Sequence, residues 1–363
     1  MSDPEHSEEY AARRNRLREL LGAGRTPAFL VTALPNVRYL SGFTGSNAML
    51  LITPERELLF TDPRYQSQAP LQSDCEVRIA KGPLLPEVAK WIKRLKLSEV
   101  GFEENRISFE DYQQAKTVIK RVRLKALKGL VEALRMIKSP SEIATIRASV
   151  SLNSAALEQA LEHFKPSMTE IDLAAEIDYR MRLLGADGTA FDTIVASGER
   201  SALPHAHPTD HPIERHKLLL IDMGASVAGY ASDMTRTRAL GKLDGRIRRM
   251  YRAVLESQLA ALDAIRPGVS CGHVDRVARN SLREYGFDKL FVHSTGHGLG
   301  LEIHEQPRVG RKEGTKLQAG MVVTVEPGVY QEGLGGIRIE DTAVVTEQGC
   351  EVLTPTGKEL VVL

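Results

Sequence analysis

Short apolar runs, each bounded by Gly, Pro, Asn or Asp, punctuate the first third of the chain. They fall at Ala28–Thr32, Ala48–Thr53, Glu57–Thr61, Glu76–Ala80 and Glu99–Glu103, and their lengths and bounds predict strands. Helical spacing of the apolar residues takes over across Glu8–Leu21, Leu84–Leu97 and Ser108–Lys120, the last with Ser108 as cap and Asp111 three residues on. A stronger start signal is Ser139-Pro140-Ser141-Glu142, with Ser at the cap, Pro in the first turn and Glu three residues after the cap. It predicts the long helix Ser141–Phe164. The pattern therefore divides the chain into an α/β domain over residues 1–130 and a second domain over residues 131–363.

The second domain repeats itself. Lys165-Pro-Ser-Met-Thr169 opens a helix that closes at Leu184-Gly-Ala-Asp187, and Arg266-Pro-Gly-Val-Ser270 opens another that closes at Tyr285-Gly-Phe-Asp288. Each unit runs into a His-rich loop, ending His205-Ala-His207-Pro208 in one and His304-Glu-Gln-Pro307 in the other. Each loop leads to a strand that ends in an acid, Leu218–Asp222 first and Met321–Glu326 second. Each unit finishes on a return strand with another acid, Asp233 in the first and Glu340 within Ile337-Arg-Ile-Glu-Asp in the second. The period is too long for a solenoid. It predicts a helix–strand–strand unit duplicated about a pseudo-twofold, with Asp222, Asp233, Glu326 and Glu340 converging. The overall class is α/β, of the α+β kind.

A carboxylate at the end of the apolar run Leu218–Ile221 is costly unless something positive meets it. Alone, the first hairpin reads equally as a solvated turn whose aspartates face water. Four acids from two facing hairpins favour a cation instead. With an imidazole they form a mixed oxygen–nitrogen site suited to two divalent ions such as Mn²⁺, Co²⁺ or Zn²⁺. The best imidazole candidate is His297, in Thr295-Gly-His-Gly-Leu-Gly300, where the flanking glycines are expected to let the backbone turn sharply. Arg338 and Glu340, two apart on a predicted strand, should share a face. Arg338 then either pairs with a ligand carboxylate or holds the carbonyl or carboxylate end of a substrate. His205, His293 and His304 supply imidazoles for proton traffic and oxyanion stabilisation. His207, His211 and His216 crowd the first loop and receive no role.

Composition narrows the partners. Lys+Arg total 48 against Asp+Glu 47 in 363 residues, a balance that leaves no electrostatic footprint for nucleic acid or a membrane surface. Three scattered cysteines, Cys75, Cys271 and Cys350, argue against a disulfide framework and a cysteine zinc site. The start, Met1-Ser-Asp-Pro-Glu-His, is polar and acidic rather than a targeting signal, and no stretch reaches the length of a membrane span. A cytoplasmic setting is expected. Ile303-His-Glu305 lacks the second His of a zincin helix, and the Gly296–Gly300 run lacks the strand-to-helix setting of a dinucleotide fingerprint. Gly42-Phe-Thr-Gly-Ser46 and Thr61-Asp-Pro-Arg-Tyr65 carry no P-loop lysine and read as turns.

Five motifs, in order, resemble the pita-bread metallopeptidases, the group of aminopeptidase P, prolidase and methionine aminopeptidase. They are Ile221-Asp-Met-Gly224, Ser232-Asp-Met-Thr-Arg236, Gly296-His-Gly-Leu-Gly300, Val325-Glu-Pro-Gly328 and Arg338-Ile-Glu-Asp341. The resemblance implies a pita-bread C-terminal domain and five metal ligands: Asp222, Asp233, His297, Glu326 and Glu340. Gly42–Ser46 and Phe60–Tyr65 are similar to the creatinase-like N-terminal domain of the Xaa-Pro-cleaving branch, as are Leu203-Pro-His205-Ala and Arg338 to that branch's catalytic domain. By this likeness His205, His293 and His304 bind substrate or stabilise the intermediate, Arg338 joins the same network, and Phe191 forms an aromatic wall near the substrate. The implied reaction is a two-metal hydrolysis of the bond before proline, with Glu326 shuttling the proton and Mn²⁺ as the first choice of metal. The first expectation is an Xaa-Pro aminopeptidase acting on peptides with proline second. The alternative is an Xaa-Pro dipeptidase (prolidase), and more remote ones are a non-catalytic binding module and a creatinase-like C–N hydrolase. Relatives of this kind imply a homodimer.

Overall fold

A computed structural model describes residues 4–363. Met1, Ser2 and Asp3, at the head of the polar start considered above for targeting, lie outside the described residues. The chain divides into two compact units between Arg135 and Met136, inside a short helix, Leu130–Met136.

The first unit carries helices α1 (Pro4–Ala23), α2 (Leu34–Ser41), α3 (Ala69–Gln72), α4 (Leu84–Arg94), α5 (Phe109–Val118) and α6 (Leu130–Met136). Its strands are β1 (Phe29–Val31), β2 (Ala48–Ile52), β3 (Glu57–Thr61), β4 (Glu76–Ile79), β5 (Glu99–Glu103) and β6 (Arg123–Leu127). They form one mixed sheet in the order β4-β3-β2-β1-β5-β6. The five apolar runs are all strands. The sixth strand escaped the sequence pattern because Arg123-Leu-Lys-Ala-Leu interleaves charged and apolar residues on a half-exposed edge. Leu85, Val88, Trp91 and Ile92 on one face of α4 pack on Leu51, Leu58, Phe60 and Val100 of the sheet.

The second unit is built twice over. Its first half runs α7 (Pro140–Glu162), α8 (Glu170–Leu183), β7 (Gly188–Thr189), β8 (Ile194–Ser197), β9 (Leu218–Met223), β10 (Ala225–Val227), β11 (Tyr230–Ala231) and β12 (Met234–Ala239). Its second half runs α9 (Gly245–Asp263), α10 (Cys271–Glu284), β13 (Gly296–Gly298), β14 (Glu305–Val309), β15 (Val322–Val325), β16 (Gly328–Gln331), β17 (Gly335–Arg338), β18 (Asp341–Val345) and β19 (Cys350–Val352). Each half opens with a pair of helices, one more than the expected helix–strand–strand unit. Capping boxes start α7 at Ser139 and α8 at Thr169, while Ser270 caps α10 by accepting from the His273 N–H. Gly268-Val-Ser270-Cys-Gly272 has the spacing of a serine-hydrolase elbow, but that hydroxyl is occupied as a helix cap.

The sheets are β12-β9-β8 in the first half and β14-β13-β15-β18-β19 in the second, with small sheets β11-β10-β7 and β16-β17. Strand alternation then decides where the acids point. On β9, Leu219, Ile221 and Met223 pack with Ala156, Leu157, Leu173 and Ile177 of α7 and α8, which sends Asp222 to the opposite face. On β15, Val323 and Val325 join the core built on α9 and α10, so Thr324 and the following Glu326 take the other face. Asp233 stands one residue before β12 and Glu340 one residue before β18. Thr235 pairs with Asp222 in one ladder, and Asp341 with Val325 in the other. Each hairpin thus presents its two acids at one open end of an antiparallel ladder.

Candidate metal centre

Ligand atoms of Asp233, His297 and Glu340 all lie within 4.8 Å of one another. His297 Nε2 is also 3.5 Å from Glu326 Oε1 and 3.6 Å from Asp233 Oδ2. His297 Nδ1 meets the Gly298 carbonyl at 3.0 Å, which places the proton on Nδ1 and leaves the Nε2 lone pair toward the acids. His297 lies on strand β13, and in place of the expected sharp turn the pairing with β14 shifts register between His297 and Gly298. Gly296 is required for close packing: a Cβ there would stand 1.9 Å from the Thr324 carbonyl oxygen.

Asp222 completes the group. Arg338 Nη2 donates to its Oδ2 at 2.5 Å, while its buried Oδ1 has no hydrogen-bond partner. Arg338 and Glu340 do not share a strand. β17 ends at Arg338 and β18 begins at Asp341, so Glu340 sits in the break between two sheets. They converge through Thr235, whose hydroxyl donates to Glu340 Oε2 at 2.7 Å and accepts from Arg338 Nε at 2.9 Å. Of the roles open to Arg338 from the sequence, the structure contains the pairing with Asp222, a candidate ligand.

Without a cation, electrostatics oppose ionising the whole cluster at once. Burial, then the charges of Glu340, Asp222 and Glu326, hold the Asp233 carboxyl well above its ordinary range. Burial and the charges of Glu326 and Asp222 do the same to Glu340. Burial pushes Glu326 up to about 7, against the pull of the Arg338 guanidinium. Burial also pushes His297 down, toward its neutral, ligating form. Four carboxylates therefore face one guanidinium, and an oxygen of Asp222 is buried without a donor. Hard oxygen ligands and one neutral imidazole in that state fit divalent cations.

The other sequence candidates surround this group. His304 lies edge-on to His297, ring centroids 4.4 Å apart, and burial and the charges of His297 and His205 lower its pKa. His293 Nε2 meets the Tyr330 hydroxyl at 2.9 Å and its Nδ1 the Ser294 carbonyl at 2.8 Å, with Glu326 Oε2 at 4.0 Å. Burial and the Arg338 charge push His293 down to about 4. His205 is exposed, next to Pro204, whose carbonyl accepts from Arg338 Nη1 at 3.2 Å. Phe191 packs on the backbone just past Asp222, where a Cβ on Gly224 would meet its ring at 2.6 Å. His211 pairs instead with Glu214 at 3.0 Å.

Three residues escaped the sequence reading. The Tyr330 hydroxyl accepts from Arg338 Nη1 at 2.7 Å, and burial pushes its pKa up to about 12. Nothing in Gly328-Val-Tyr-Gln331 signals that. Thr235 and Thr324 could have been found, since each stands two residues along a strand from a ligand candidate and so shares its face. Thr324 Oγ1 accepts from the His297 N–H at 3.0 Å and donates to Glu326 Oε1 at 3.3 Å.

Comparison with known proteins places this arrangement. The sequence profile of Metallopeptidase family M24 matches residues 144–347. The chain belongs to that family. The profile of the Creatinase/Prolidase N-terminal domain matches residues 13–137, and the two together match the pita-bread architecture with its creatinase-like first domain. M24 enzymes are dinuclear metal-dependent peptidases, and the acid–imidazole cluster is a candidate metal-binding group of this chain. A Xaa-Pro dipeptidase of Pyrococcus horikoshii is 36% identical over 344 residues, covering 94% of this chain and 97% of that protein. The solved Xaa-Pro dipeptidase of Bacillus anthracis is 39% identical with a TM-score of 0.95, covering 98% of this chain and all of that one. The X-Pro aminopeptidase of Thermotoga maritima is 38% identical with a TM-score of 0.90, covering 96% of this chain and 100% of that one. Among the described residues no helix is long and apolar enough to cross a membrane.

Proposed function

We propose that this M24 metallopeptidase is an Xaa-Pro dipeptidase, hydrolysing the bond between the first residue and proline in dipeptides. The observation that carries the reading is the buried cluster of four carboxylates and a neutral imidazole with one guanidinium as counter-charge. The relatives favour dipeptidase over the aminopeptidase expected first, since the Pyrococcus and Bacillus anthracis proteins, alike over nearly their whole length, carry that name.

Asp222, Asp233, His297, Glu326 and Glu340 would hold two divalent cations, Mn²⁺ being the first to try. Such ions supply Lewis acidity and make water acidic enough to attack near neutral pH. Glu326, whose Oε1 accepts from the Thr324 hydroxyl and whose Oε2 lies 4.0 Å from His293, would take a proton from the attacking water and deliver it to the proline nitrogen. His293 and His304, both lowered by burial, stay neutral near pH 7. His304 would donate to the carbonyl oxygen as charge develops, and His293 would do so by turning its Nδ1–H from the Ser294 carbonyl while Nε2 accepts from Tyr330. Arg338 fixes Asp222 and Tyr330 at once, and Tyr330, pushed up to about 12, keeps its proton as a donor. An Xaa-Pro amide has no N–H for a general peptidase to grip, so a pocket that grips the carbonyl side suits it. Phe191, packed at Gly224, and the exposed His205 would flank the substrate.

A matched pair, Ala-Pro and Ala-Pro-Ala, tests the proposal with the Mn²⁺-loaded protein. Cleavage of the dipeptide alone supports it. Equal cleavage of the tripeptide would make the protein an aminopeptidase.

A further inference from the structure

One buried ion pair in the second unit is not used by the chemistry above. On α10, Arg279 Nε donates to Asp275 Oδ2 at 2.8 Å and Nη2 to Oδ1 at 3.1 Å, one helical turn apart. Its other contacts leave the helix. Arg279 Nη1 donates to the Phe291 carbonyl at 2.8 Å, and Nη2 to the His293 carbonyl at 2.5 Å. The Thr295 hydroxyl donates to Asp275 Oδ1 at 2.9 Å. The guanidinium also lies over the Phe291 ring, 4.2 Å from its centroid, and that ring stands edge-on to His293 at 5.0 Å.

We propose that Arg279 and Asp275 are positioning residues for His293. The segment Phe291–Thr295 lies between the short 3₁₀ turn Asp288–Leu290 and strand β13, so it has no ladder of its own. Phe291 and Thr295 are buried, and the inward-facing backbone carbonyls of such a segment need donors. The ion pair grips alternate residues, 291, 293 and 295, as a neighbouring strand would, with side-chain atoms in place of a backbone. The grip extends into the site, because the Thr295 carbonyl accepts from the Glu326 N–H at 2.7 Å. His293 is thus held from behind by Arg279 and in front by Tyr330. A buried ion pair is a poor device for stability alone, since well-packed apolar residues often replace one without loss. It is a good device for fixing several backbone atoms at set distances.

The proposal rests on the reading of His293 as the group that meets the substrate carbonyl, and the test separates the two. Arg279→Lys keeps the charge and loses the fork; Thr295→Val removes one hydroxyl and leaves no charge unpaired, so it remains informative if the Arg279 variant does not fold. For each, metal content, kcat and KM on Ala-Pro, and diethyl pyrocarbonate labelling of His293 relative to His304 by mass spectrometry are measured. The expected result for Arg279→Lys is a fall in kcat of about 10–100-fold with KM and metal content held, and faster labelling of His293 alone. Thr295→Val moves the same readouts by less. Folded variants with parental kcat and parental His293 labelling would overturn the proposal, as would a loss of kcat that tracks lost metal. If the parent protein cleaves no Xaa-Pro substrate, the functional reading falls and His293 labelling alone decides the positioning role.

Discussion

Removing metal from this protein should make its stability fall as pH rises. Burial lifts Glu326 from an ordinary 4.5 to about 7, and Asp233 and Glu340 are lifted in the same direction. A group whose pKa is raised by folding binds more protons in the native state than in the unfolded one. Its stabilising effect is complete below the unfolded value and is lost as pH climbs through the folded value. For Glu326 alone the rise from 4.5 to about 7 corresponds to about 3 kcal/mol lost across that window. A bound divalent cation favours the ionised carboxylates and should abolish or reverse the slope. The assay is urea unfolding of chelated and Mn²⁺-loaded protein at several pH values, followed by pulse proteolysis with cleavage mapped to the second unit. Stability of the chelated protein that is flat or rising between pH 4.5 and about 7 would refute the claim that these acids are crowded and buried together.

Other consequences follow from single contacts. Arg338→Lys should lower kcat/KM by about 100-fold, because one ammonium cannot serve Asp222, Thr235, Pro204 and Tyr330 together; steady-state kinetics on Ala-Pro would show it. Thr235→Val removes the hydroxyl that joins Arg338 to Glu340 and should weaken metal binding about 10-fold or more, measured by calorimetric titration of the chelated protein, with parental affinity counting against the network. Gly296→Ala puts a methyl against the Thr324 carbonyl and should destabilise the second unit by more than about 4 kcal/mol, seen as a lost or much lowered unfolding midpoint.

The acid cluster was legible because duplication set Asp222 and Asp233 against Glu326 and Glu340 at matching places, and because alternation on β9 and β15 sends apolar side chains to the helices and carboxylates away from them. The route by which Arg338 meets Glu340 was not legible. Two residues apart reads as one strand face, yet the chain changes sheet at Ile339–Glu340, and only the folded register shows Thr235 joining them. Tyr330 was missed for a related reason: its role depends on burial beside Arg338 and His293, which no local pattern encodes. The glycines beside His297 were read for a sharp turn, whereas the need is close packing, of Gly296 against the Thr324 carbonyl and of Gly298 against the Gln306 carbonyl. Specificity was least legible of all. Whether a peptide can extend past proline depends on the shape beyond the reacting carbonyl, and the ligand motifs do not describe that shape.

The most direct test of the central claim is metal titration of fully chelated protein while Ala-Pro hydrolysis is followed. The account predicts no hydrolysis after chelation, its return on loading with Mn²⁺ toward two ions per chain, and none at any loading in Asp233→Asn. Hydrolysis that persists in the chelated protein, or two bound ions without cleavage of Ala-Pro, would contradict it.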